Sequence, residues 1–331
     1  MTTGGWTGTR VAVVGGAGFI GSNATLRLVE LGAEVTVVDG LVPGCGGHRA
    51  NLRPVVGRVR FVEADLTRDP PPPAVAEAEV VLDLMGDPAH GRSVANPLGD
   101  LANNLTAQVA LYESLRNARS QARVVLASTR QVYGRCERLP VDETFPVAPP
   151  DPNAIHKVAA EQYATLYEQL YGIPSVRLRF TNVYGPRQGN RDPAHGVAGF
   201  LIGRLLRGER VTLFGGGEQR RDWLFVDDAV EALLLAAMVP IAAGRAYNIG
   251  HDRPASLREF VAAAQRAVGG GEVVEAPFPS SAAAIDIGDY WTDARRAAAD
   301  LGWKAETSLA AGVAATVAFH RAEPNGAQWP S

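Results

Sequence analysis

The chain has 331 residues, of which 46% are hydrophobic, and its formal net charge is −3. This length is enough for one large domain or two closely joined ones, and the composition is that of an ordinary globular protein. The charge offers no basic field for nucleic acid, and no apolar run is long enough to cross a bilayer. Cys45 and Cys136 form neither a disulfide framework nor a metal-ligand spacing. We therefore expect a cytoplasmic protein that binds no metal, nucleic acid or membrane.

The stretch Val11–Asp39 is predicted to form a buried strand, a glycine turn, a helix and a second strand over Glu34–Asp39. Its three glycines have the spacing G-x-x-G-x-x-G, which lets the backbone approach a pyrophosphate at a helix N-terminus. The acid that ends the second strand can accept hydrogen bonds from an adenosine ribose and would repel a 2′-phosphate. We therefore predict that NAD binds here, the alternative being a glycine-rich turn without a ligand. The residues expected to hold it are Gly15, Gly18, Phe19, Ile20, Gly21 and Asp39.

Further short apolar runs alternate with helical patterns along the first part of the chain. The predicted strands are Arg58–Glu63, Val80–Leu84, Arg123–Ser128 and Ser175–Phe180. This alternation predicts an α/β fold with a right-handed, doubly wound parallel sheet of the Rossmann type. Ligands of such sheets bind beyond the carboxyl ends of the strands, so the loops there are the ones to search.

Two of the intervening segments are predicted to be amphipathic helices. Residues Val94–Asn117 are mostly helical, with an apolar stripe made of Val94, Leu98, Leu101, Leu105 and Leu111. Residues Ile155–Leu170 form another helix, and its inward side chains are expected to be Val158, Tyr163, Leu166 and Leu170.

From Gly185 the pattern changes. A helix near Gly199–Arg207 and a strand at Val211–Phe214 are predicted, and a helix at Asp228–Met238 and a strand at Ala246–Ile249 return to the main sheet. A Pro/Ser/Ala loop and a final helix after Ser308 follow. The expected division is an NAD-binding domain over 1–184, to which 223–252 returns, and a smaller α/β C-terminal substrate lobe over 185–222 and 253–331.

Several loop motifs follow in a fixed order. They are LASTRQVYG (Leu126–Gly134), KVAAEQY from Lys157, RFTNVYGPRQ (Arg179–Gln188), GGGEQRRDWLFVDD and AYNIG. With GGAGFIG they resemble the extended short-chain dehydrogenase/reductase family, specifically its NAD-dependent nucleotide-sugar epimerases and dehydratases, from about Arg10 to about Arg321. The resemblance implies a nucleotide-activated sugar as substrate. It also implies a homodimer formed through the helices near 94–117 and 153–171.

In that family a Tyr four residues before a Lys acts as the base, and a Ser or Thr polarises the same sugar oxygen. The resemblance places Thr129 on the Ser/Thr position, Lys157 on the Lys that holds the nicotinamide ribose, and Asn153 on the Tyr. Asn is neutral and cannot accept a proton as a phenolate can. Three hypotheses remain open: another group replaces the Tyr, the chemistry needs a weaker base, or the protein binds its ligands with little catalysis. The candidate replacements are His156, Tyr133, Tyr184 and Glu143.

Other positions carry weaker expectations. Asp65, followed by Leu66, could face the adenine amino group or cap a helix. Where the family often has H-L-A-A, this chain has Asp83-Leu84-Met85-Gly86, and Asp83 is expected to be a buried acid that needs a partner. No Arg occurs in Pro277–Asp286, where the family usually has an R-x-G-[DE] turn. By resemblance, Met85, Gly86 and Asn104 adjoin NAD, and Tyr133, Asn182, Arg187 and Arg221 adjoin the sugar nucleotide.

Overall fold

The computed structural model describes residues 5–277 and 288–322, which contain a seven-stranded sheet with the order β11-β6-β5-β4-β1-β2-β3. All neighbouring strands in it run parallel. The strands are β1 (Arg10–Val14), β2 (Glu34–Asp39), β3 (Arg60–Glu63), β4 (Val80–Asp83), β5 (Arg123–Thr129), β6 (Ser175–Phe180) and β11 (Ala246–Ile249). The predicted α/β fold with a doubly wound parallel sheet is confirmed.

Helices cover both faces of the sheet because the central strands are apolar on both sides. On β1, Val11 and Val13 join the cluster that includes side chains of α1 (Phe19–Glu30) and α8 (Val226–Met238). Ala12 of the same strand faces the opposite cluster, beneath α5 (Ala107–Asn117) and α6 (Pro152–Tyr171). The carboxyl ends of the strands are left open between these layers.

The predicted helix over Val94–Asn117 is divided into shorter segments. They are α3 (His90–Ala95), α4 (Pro97–Leu101), a π-helical turn (Ala102–Thr106) and α5. Pro97 has no N–H group and starts α4, while the Asn96 side chain caps it by accepting the Gly99 N–H at 3.1 Å. The π-helical turn directs Asn104 into the protein, where it is fully buried.

The predicted inward faces of these helices were partly wrong. On α6, Tyr163, Leu166 and Leu170 are exposed, with Leu170 at 61%, and on α3–α4 Val94 and Leu98 are exposed, with Leu98 at 76%. The inward positions on α6 are Ala160, Ala164 and Tyr167, so two small side chains let the helix lie close to the sheet. The larger apolar side chains form a stripe on the outer surface.

The remaining elements form a second, smaller lobe with its own core. Three two-stranded sheets pair β7 (Asn182–Tyr184) with β10 (Trp223–Phe225), β8 (Val211–Phe214) with β13 (Val273–Ala276), and β9 (Arg220–Arg221) with β12 (Ala255–Ser256). The helices are α7 (Val197–Leu206), α9 (Leu257–Val268) and α11 (Leu309–Ala322), while α2 (Pro73–Ala76) and α10 (Arg295–Leu301) flank the main sheet. Most of the predicted Pro/Ser/Ala loop lies outside the described residues. No helix within the described ranges is both long and apolar enough to span a membrane.

Candidate active site

The glycine turn after β1 has the backbone geometry that only glycine tolerates. Gly15 has φ of +77°, and a Cβ on it would lie 2.7 Å from the Leu84 carbonyl oxygen. A Cβ on Gly21 would lie 2.1 Å from the Gly15 carbonyl oxygen, so α1 approaches the strand end closely. Gly18 precedes α1 without a side-chain cap, which leaves the first N–H groups of the helix, at Phe19 and Ile20, for a ligand.

Asp39 lies at the end of β2, beside this turn. Its carboxylate accepts the Ala17 N–H at 2.9 Å and the Leu41 N–H at 2.8 Å, which joins the glycine turn to the loop after β2. Burial raises the pKa of Asp39, and the two backbone hydrogen bonds oppose that rise. The carboxylate is therefore fixed at the edge of the pocket where a ribose of a bound dinucleotide would lie.

One pocket extends from the glycine turn along the ends of β2, β3 and β4. Asp65 does not begin a helix, because its Oδ1 accepts the Thr67 N–H at 3.0 Å and the Thr67 hydroxyl at 2.7 Å. The sequence-predicted residues that line the pocket are Gly15, Gly18, Asp39, Asp65, Leu66, Met85 and Gly86. Sequence reasoning missed Val42, Cys45 and Asn103, which also line it.

The loop after β2 is held over this pocket by contacts from α3 and from a short helical turn at Pro193–His195. The Gly44 carbonyl oxygen accepts Arg92 Nη2–H at 2.7 Å and lies 2.8 Å from His195 Nε2. Arg92 also forms a two-pronged pair with Asp87, at 3.0 and 2.7 Å. We call Gly44, Arg92, Asp87 and His195 the loop clasp. It connects the elements on opposite sides of the pocket.

At the far end of the pocket, Gly86 faces Asn104 and Lys157. A Cβ on Gly86, whose φ is +134°, would lie 2.3 Å from Asn104 Oδ1 and 3.1 Å from Lys157 Nζ. Asn104 Oδ1 is buried and has no hydrogen-bond partner among the described residues. Lys157 Nζ donates to the carbonyl oxygens of Ala127 at 3.3 Å and Met85 at 3.4 Å. The unpaired acceptor of Asn104, the buried ammonium group of Lys157 and the glycine at position 86 lie at one place. This arrangement fits the nicotinamide half of NAD.

Lys157 donates to the Ala127 carbonyl oxygen, and Ala127 lies two residues before Thr129 at the carboxyl end of β5. This end of the pocket is therefore next to the end of the strand that carries Thr129. Thr129 Oγ1 accepts the Gln131 N–H at 3.1 Å and so caps the short helical turn that follows β5. A hydroxyl group that accepts one hydrogen bond can still donate another. Burial lowers the pKa of Lys157, while the carboxylates of Asp83 and Asp100 counteract that change.

Asn153 belongs to a buried network that the sequence did not predict. Its Nδ2 donates to the Asp87 carbonyl oxygen at 2.7 Å and to Asp100 Oδ1 at 3.0 Å. Asn104 Nδ2 donates to the same two acceptors, at 3.2 and 2.9 Å. His156 Nδ1 lies 2.6 Å from the other carboxylate oxygen of Asp100. We call Asn153, Asn104, Asp100 and His156 the amide–carboxylate network.

Tyr133, expected to line the sugar site, is instead packed in the core. It is 1% exposed, and its hydroxyl donates to Asn248 Oδ1 at 2.6 Å and accepts Arg179 Nη1–H at 2.8 Å. Arg179 in turn forms a two-pronged ion pair with Glu161 of α6. Tyr133 therefore supports the loop after β5 from the core side.

The other three candidate bases, Tyr184, Glu143 and His156, have different hydrogen-bond partners. The Tyr184 hydroxyl is buried in the smaller lobe and donates to the Leu309 carbonyl oxygen at 3.4 Å. Glu143 accepts the Asn248 N–H at 2.8 Å. Among the four candidates, His156 is the one that this network joins to Asn153, through Asp100.

Asn182 and Arg221, expected at the sugar-nucleotide diphosphate, adjoin Tyr290 and Arg130. The main chain of Arg221 forms a β-bridge with Tyr290. The Arg130 guanidinium lies 4.9 Å above the centre of the Tyr290 ring and donates to Asn182 Oδ1 at 3.3 Å. Asn182 Nδ2 is buried and has no hydrogen-bond acceptor in the described part of the chain. Sequence reasoning missed Arg130, although it lies within the motif Leu126–Gly134.

Arg187, which was also expected to adjoin the sugar nucleotide, instead contacts α1 and α11. Its Nη1 donates to Asn23 Oδ1 at 2.6 Å, and its guanidinium lies 5.2 Å from the centre of the Phe319 ring. The structure thus attaches Arg187 to α1 and α11.

Comparisons with known proteins agree with this geometry. Residues 11–250 match the NAD dependent epimerase/dehydratase family. The chain is 35% identical over 316 residues to a UDP-glucose 4-epimerase of Mycolicibacterium smegmatis, covering 94% of this chain and 98% of the relative. It is 32% identical over 327 residues to a dTDP-glucose 4,6-dehydratase of an Actinoplanes species, covering 95% and 98%.

A solved structure shares the fold over nearly the whole chain. It is that of the Thermus thermophilus UDP-glucose 4-epimerase in complex with NAD, which superimposes with a TM-score of 0.83 at 32% identity, covering 95% of this chain and 100% of that one. The resemblance inferred from the motifs is confirmed: the chain belongs to the NAD-dependent epimerase/dehydratase family.

Proposed function

We propose that this protein is an NAD-dependent enzyme that acts on a nucleotide-activated sugar in the manner of an epimerase. The observation that carries the proposal is the meeting of Lys157, Gly86 and Asn104 at the carboxyl end of β4, next to the end of β5, where Thr129 lies. Bound NAD would supply a hydride acceptor for the hydrogen of a sugar carbon and return it afterwards, and the proton that the sugar hydroxyl loses in this step would pass to His156, the candidate base that Asp100 joins to Asn153. The runner-up chemistry within the family is that of a sugar-nucleotide dehydratase or decarboxylase.

Each of the predicted site residues would bind a different part of the cofactor or the sugar. Gly15, Gly21 and the start of α1 would hold the pyrophosphate, and Asp39 the adenosine ribose. Lys157 would hold the nicotinamide ribose and keep a positive charge beside the reacting carbon. The Thr129 hydroxyl would donate to the sugar oxygen. The loop clasp would cover the pocket and exclude water.

Asn182 and Arg221 are proposed to bind the diphosphate of the sugar nucleotide. The buried Asn182 Nδ2 lacks an acceptor among the described residues, and a guanidinium group offers two parallel donors to phosphate oxygens. The relatives are named for UDP-glucose and dTDP-glucose, which supports a nucleotide-linked hexose as the substrate class.

The proposed domain boundaries follow the separate apolar cores of the main sheet and of the smaller lobe. The proposed NAD-binding part is 1–184 together with 223–252, and the proposed substrate lobe is 185–222 together with 253–331, although α10 of that range packs on the core of the main sheet. The separate apolar cluster of α7, α9 and α11 supports a lobe of its own, although Trp223 and Phe225 also join that cluster. We also propose a cytoplasmic location, consistent with two cysteines that form no disulfide.

A homodimer is proposed on the basis of the exposed apolar stripe of α3, α4 and α6. Val94, Leu98, Leu166 and Leu170 would be covered by the same helices of a second copy, in an isologous four-helix contact. Leu166→Glu should convert a dimer to a monomer in light scattering, whereas Gln121→Glu, which adds the same charge at an exposed position outside these helices, should not. A monomeric wild type would contradict the proposal.

A second function is favoured by one observation: Asn153, which the resemblance aligns with the family Tyr, donates into a buried network. The protein could bind NAD and a sugar nucleotide without turning the sugar over. Activity must therefore be measured separately from binding.

The test begins with mass spectrometry of the denatured protein for co-purified NAD. UDP-glucose, UDP-N-acetylglucosamine and dTDP-glucose are then incubated with the holoprotein, and products are followed by proton NMR. Product formed by the wild type but not by Lys157→Met supports the enzyme. Binding of a sugar nucleotide without product supports the second function, and binding of neither ligand refutes both.

A further inference from the structure

One segment of the chain contacts both the proposed sugar-nucleotide site and the walls of the NAD pocket. It consists of residues 185–196, which connect β7 to α7, and we call it the strap. Near its start, the Pro186 carbonyl oxygen accepts Asn23 Nδ2–H at 3.0 Å, and Arg187 Nη1 donates to Asn23 Oδ1 at 2.6 Å. Asn23 is buried on α1, two residues after Gly21. The start of the strap is therefore fixed to the helix whose N-terminus faces the pyrophosphate site.

The far end of the strap belongs to the loop clasp. His195 Nε2 lies 2.8 Å from the Gly44 carbonyl oxygen, and because a carbonyl oxygen only accepts, this nitrogen carries the proton and donates. The imidazole ring lies against Gly189, where a Cβ would be 2.8 Å from His195 Nδ1. Asp192 Oδ2 also lies 3.6 Å from Arg92 Nη1. The strap thus holds the loop after β2 from the side of the smaller lobe.

A buried glutamine connects this contact to β7. Gln188 is 2% exposed, and its Nε2 donates to the carbonyl oxygens of Val183 and His195, both at 3.2 Å. Val183 directly follows Asn182, the residue proposed to bind the diphosphate. A single amide group therefore joins the strand of the proposed nucleotide site to the residue that holds the loop over the NAD pocket.

Release of NAD requires that loop to move away. Val42, Cys45 and Gly47 of the loop line the pocket, so a dinucleotide bound there would lie beneath it. A ligand that favours the observed position of the strap also favours the bond from His195 to the loop. Two sites that favour the same position of one element stabilise each other's ligands.

We propose that the strap couples the two sites, so that a nucleoside diphosphate bound at Asn182 keeps His195 on Gly44 and retains NAD in its pocket. This inference rests on the proposed function, because it takes Asn182 as a contact of the diphosphate. It assigns His195 a role in cofactor retention and none in proton or hydride transfer. A hydride that must return to the sugar requires a cofactor that stays while the sugar nucleotide is bound, and the coupling provides this.

The test follows the exchange of bound NAD for deuterium-labelled NAD by mass spectrometry. It is run with and without a saturating nucleoside diphosphate, which is UDP, or dTDP if UDP does not bind. In the wild type the diphosphate should slow the exchange about tenfold, a usual magnitude for coupling between two sites. His195→Phe keeps a ring but has no N–H group, so the slowing should fall below about twofold at unchanged affinity for the diphosphate in calorimetry. Arg191→Gln, which changes an exposed residue of the same strap, is the matched control and should behave as the wild type.

The outcomes separate this inference from the function on which it rests. If neither UDP nor dTDP binds, the proposed function is refuted and the coupling with it. If a diphosphate binds and NAD exchanges equally fast with and without it, the coupling alone is refuted. Slowing that persists in full in His195→Phe would show that the strap does not transmit it, which also overturns the inference.

A second measurement on the wild type serves if His195→Phe does not fold. Hydrogen exchange of the NAD-loaded protein is compared with and without the diphosphate. The diphosphate should protect the amide groups of residues 40–48, although it binds on the other side of the strap. Unchanged exchange in this loop at saturating diphosphate would overturn the inference.

Discussion

Asp83 is a buried carboxylate whose removal should stabilise the protein. It ends β4 in the centre of the sheet, is fully buried, and its oxygens make no hydrogen bond of normal geometry to the described residues. Burial raises its pKa from 3.8 to about 6, and the attraction of Lys157 opposes that rise. The folded protein thus prefers this side chain neutral, so Asp83→Asn mimics the favoured form without changing its shape.

The magnitude follows from proton linkage. An acid whose pKa is raised in the folded state loses stability as the pH rises from 3.8 to about 6, and above 6 the loss is complete. At about 1.4 kcal/mol for each tenfold change in the proton affinity, the full loss is about 3 kcal/mol. Asp83→Asn should therefore gain up to about 3 kcal/mol at pH 8 and nothing near pH 4.

The assay is urea unfolding of wild type and variant between pH 4 and pH 8, at saturating NAD and without it. The free energies of unfolding should diverge through the range between pH 4 and pH 6 and run parallel above it. A difference that is the same at all pH values would refute the argument, because it would mean that Asp83 is not titrating. In the variant, Lys157 loses one of the carboxylates that favour its charge, so NAD affinity should fall near neutral pH while stability rises.

Three further substitutions test other parts of the site. Asp222 has a similarly raised pKa, about 6, but its two carboxylate oxygens accept a hydroxyl and a backbone N–H, of which an amide oxygen can keep only one, so Asp222→Asn should gain about 1–3 kcal/mol less than Asp83→Asn in the same unfolding assay at pH 8. Arg92→Met removes the bond to the Gly44 carbonyl and should speed NAD release about tenfold in a fluorescence dilution experiment; unchanged release would show that the loop clasp does not retain the cofactor. Gly21→Ala places a methyl group against the Gly15 carbonyl and should abolish NAD binding in calorimetry, and binding at wild-type affinity would contradict the close approach.

The strands of the main sheet, and β8, were predictable because each is a short apolar run between glycine, proline or charged residues. The observed bounds of β2, β6, β8 and β11 are those expected from the sequence. The glycine turn was equally predictable, because its three glycines, the helix and the acid lie within one contiguous stretch of sequence. Local patterns of this kind carry their own physical reason and need no knowledge of the tertiary structure.

The outward faces of the helices were not predictable in the same way. Periodicity shows that Tyr163, Leu166 and Leu170 share a face of α6, but it does not show what covers that face. Inward packing selected the small Ala160 and Ala164 instead, because they let the helix lie close to the sheet. An apolar stripe on a sheet-covering helix is equally compatible with the core and with a second copy of the chain.

The loop clasp depends on contacts between distant parts of the chain. Arg92 and Gly44 are 48 positions apart, and His195 and Gly44 are 151 apart. Arg130 was passed over because nothing in the sequence around it indicates that Tyr290 lies beneath its guanidinium. Such sites form where the ends of several strands meet. Patterns within a single segment of the sequence do not reveal them.

If Asn153 stands where the family has its Tyr, as proposed, the whole amide–carboxylate network gives that replacement a physical explanation. Asp100 is buried and needs donors, and Asn153, Asn104 and His156 supply them from two helices. Asn153→Tyr would remove one of these donors and force a ring into a buried site, so by itself it should lower the unfolding temperature. Activity gained by Asn153→Tyr only when Asp100→Asn is also made would show that the two positions changed as a unit. Activity gained by the single variant at unchanged stability would show that the network is dispensable and that the missing phenol alone limits catalysis.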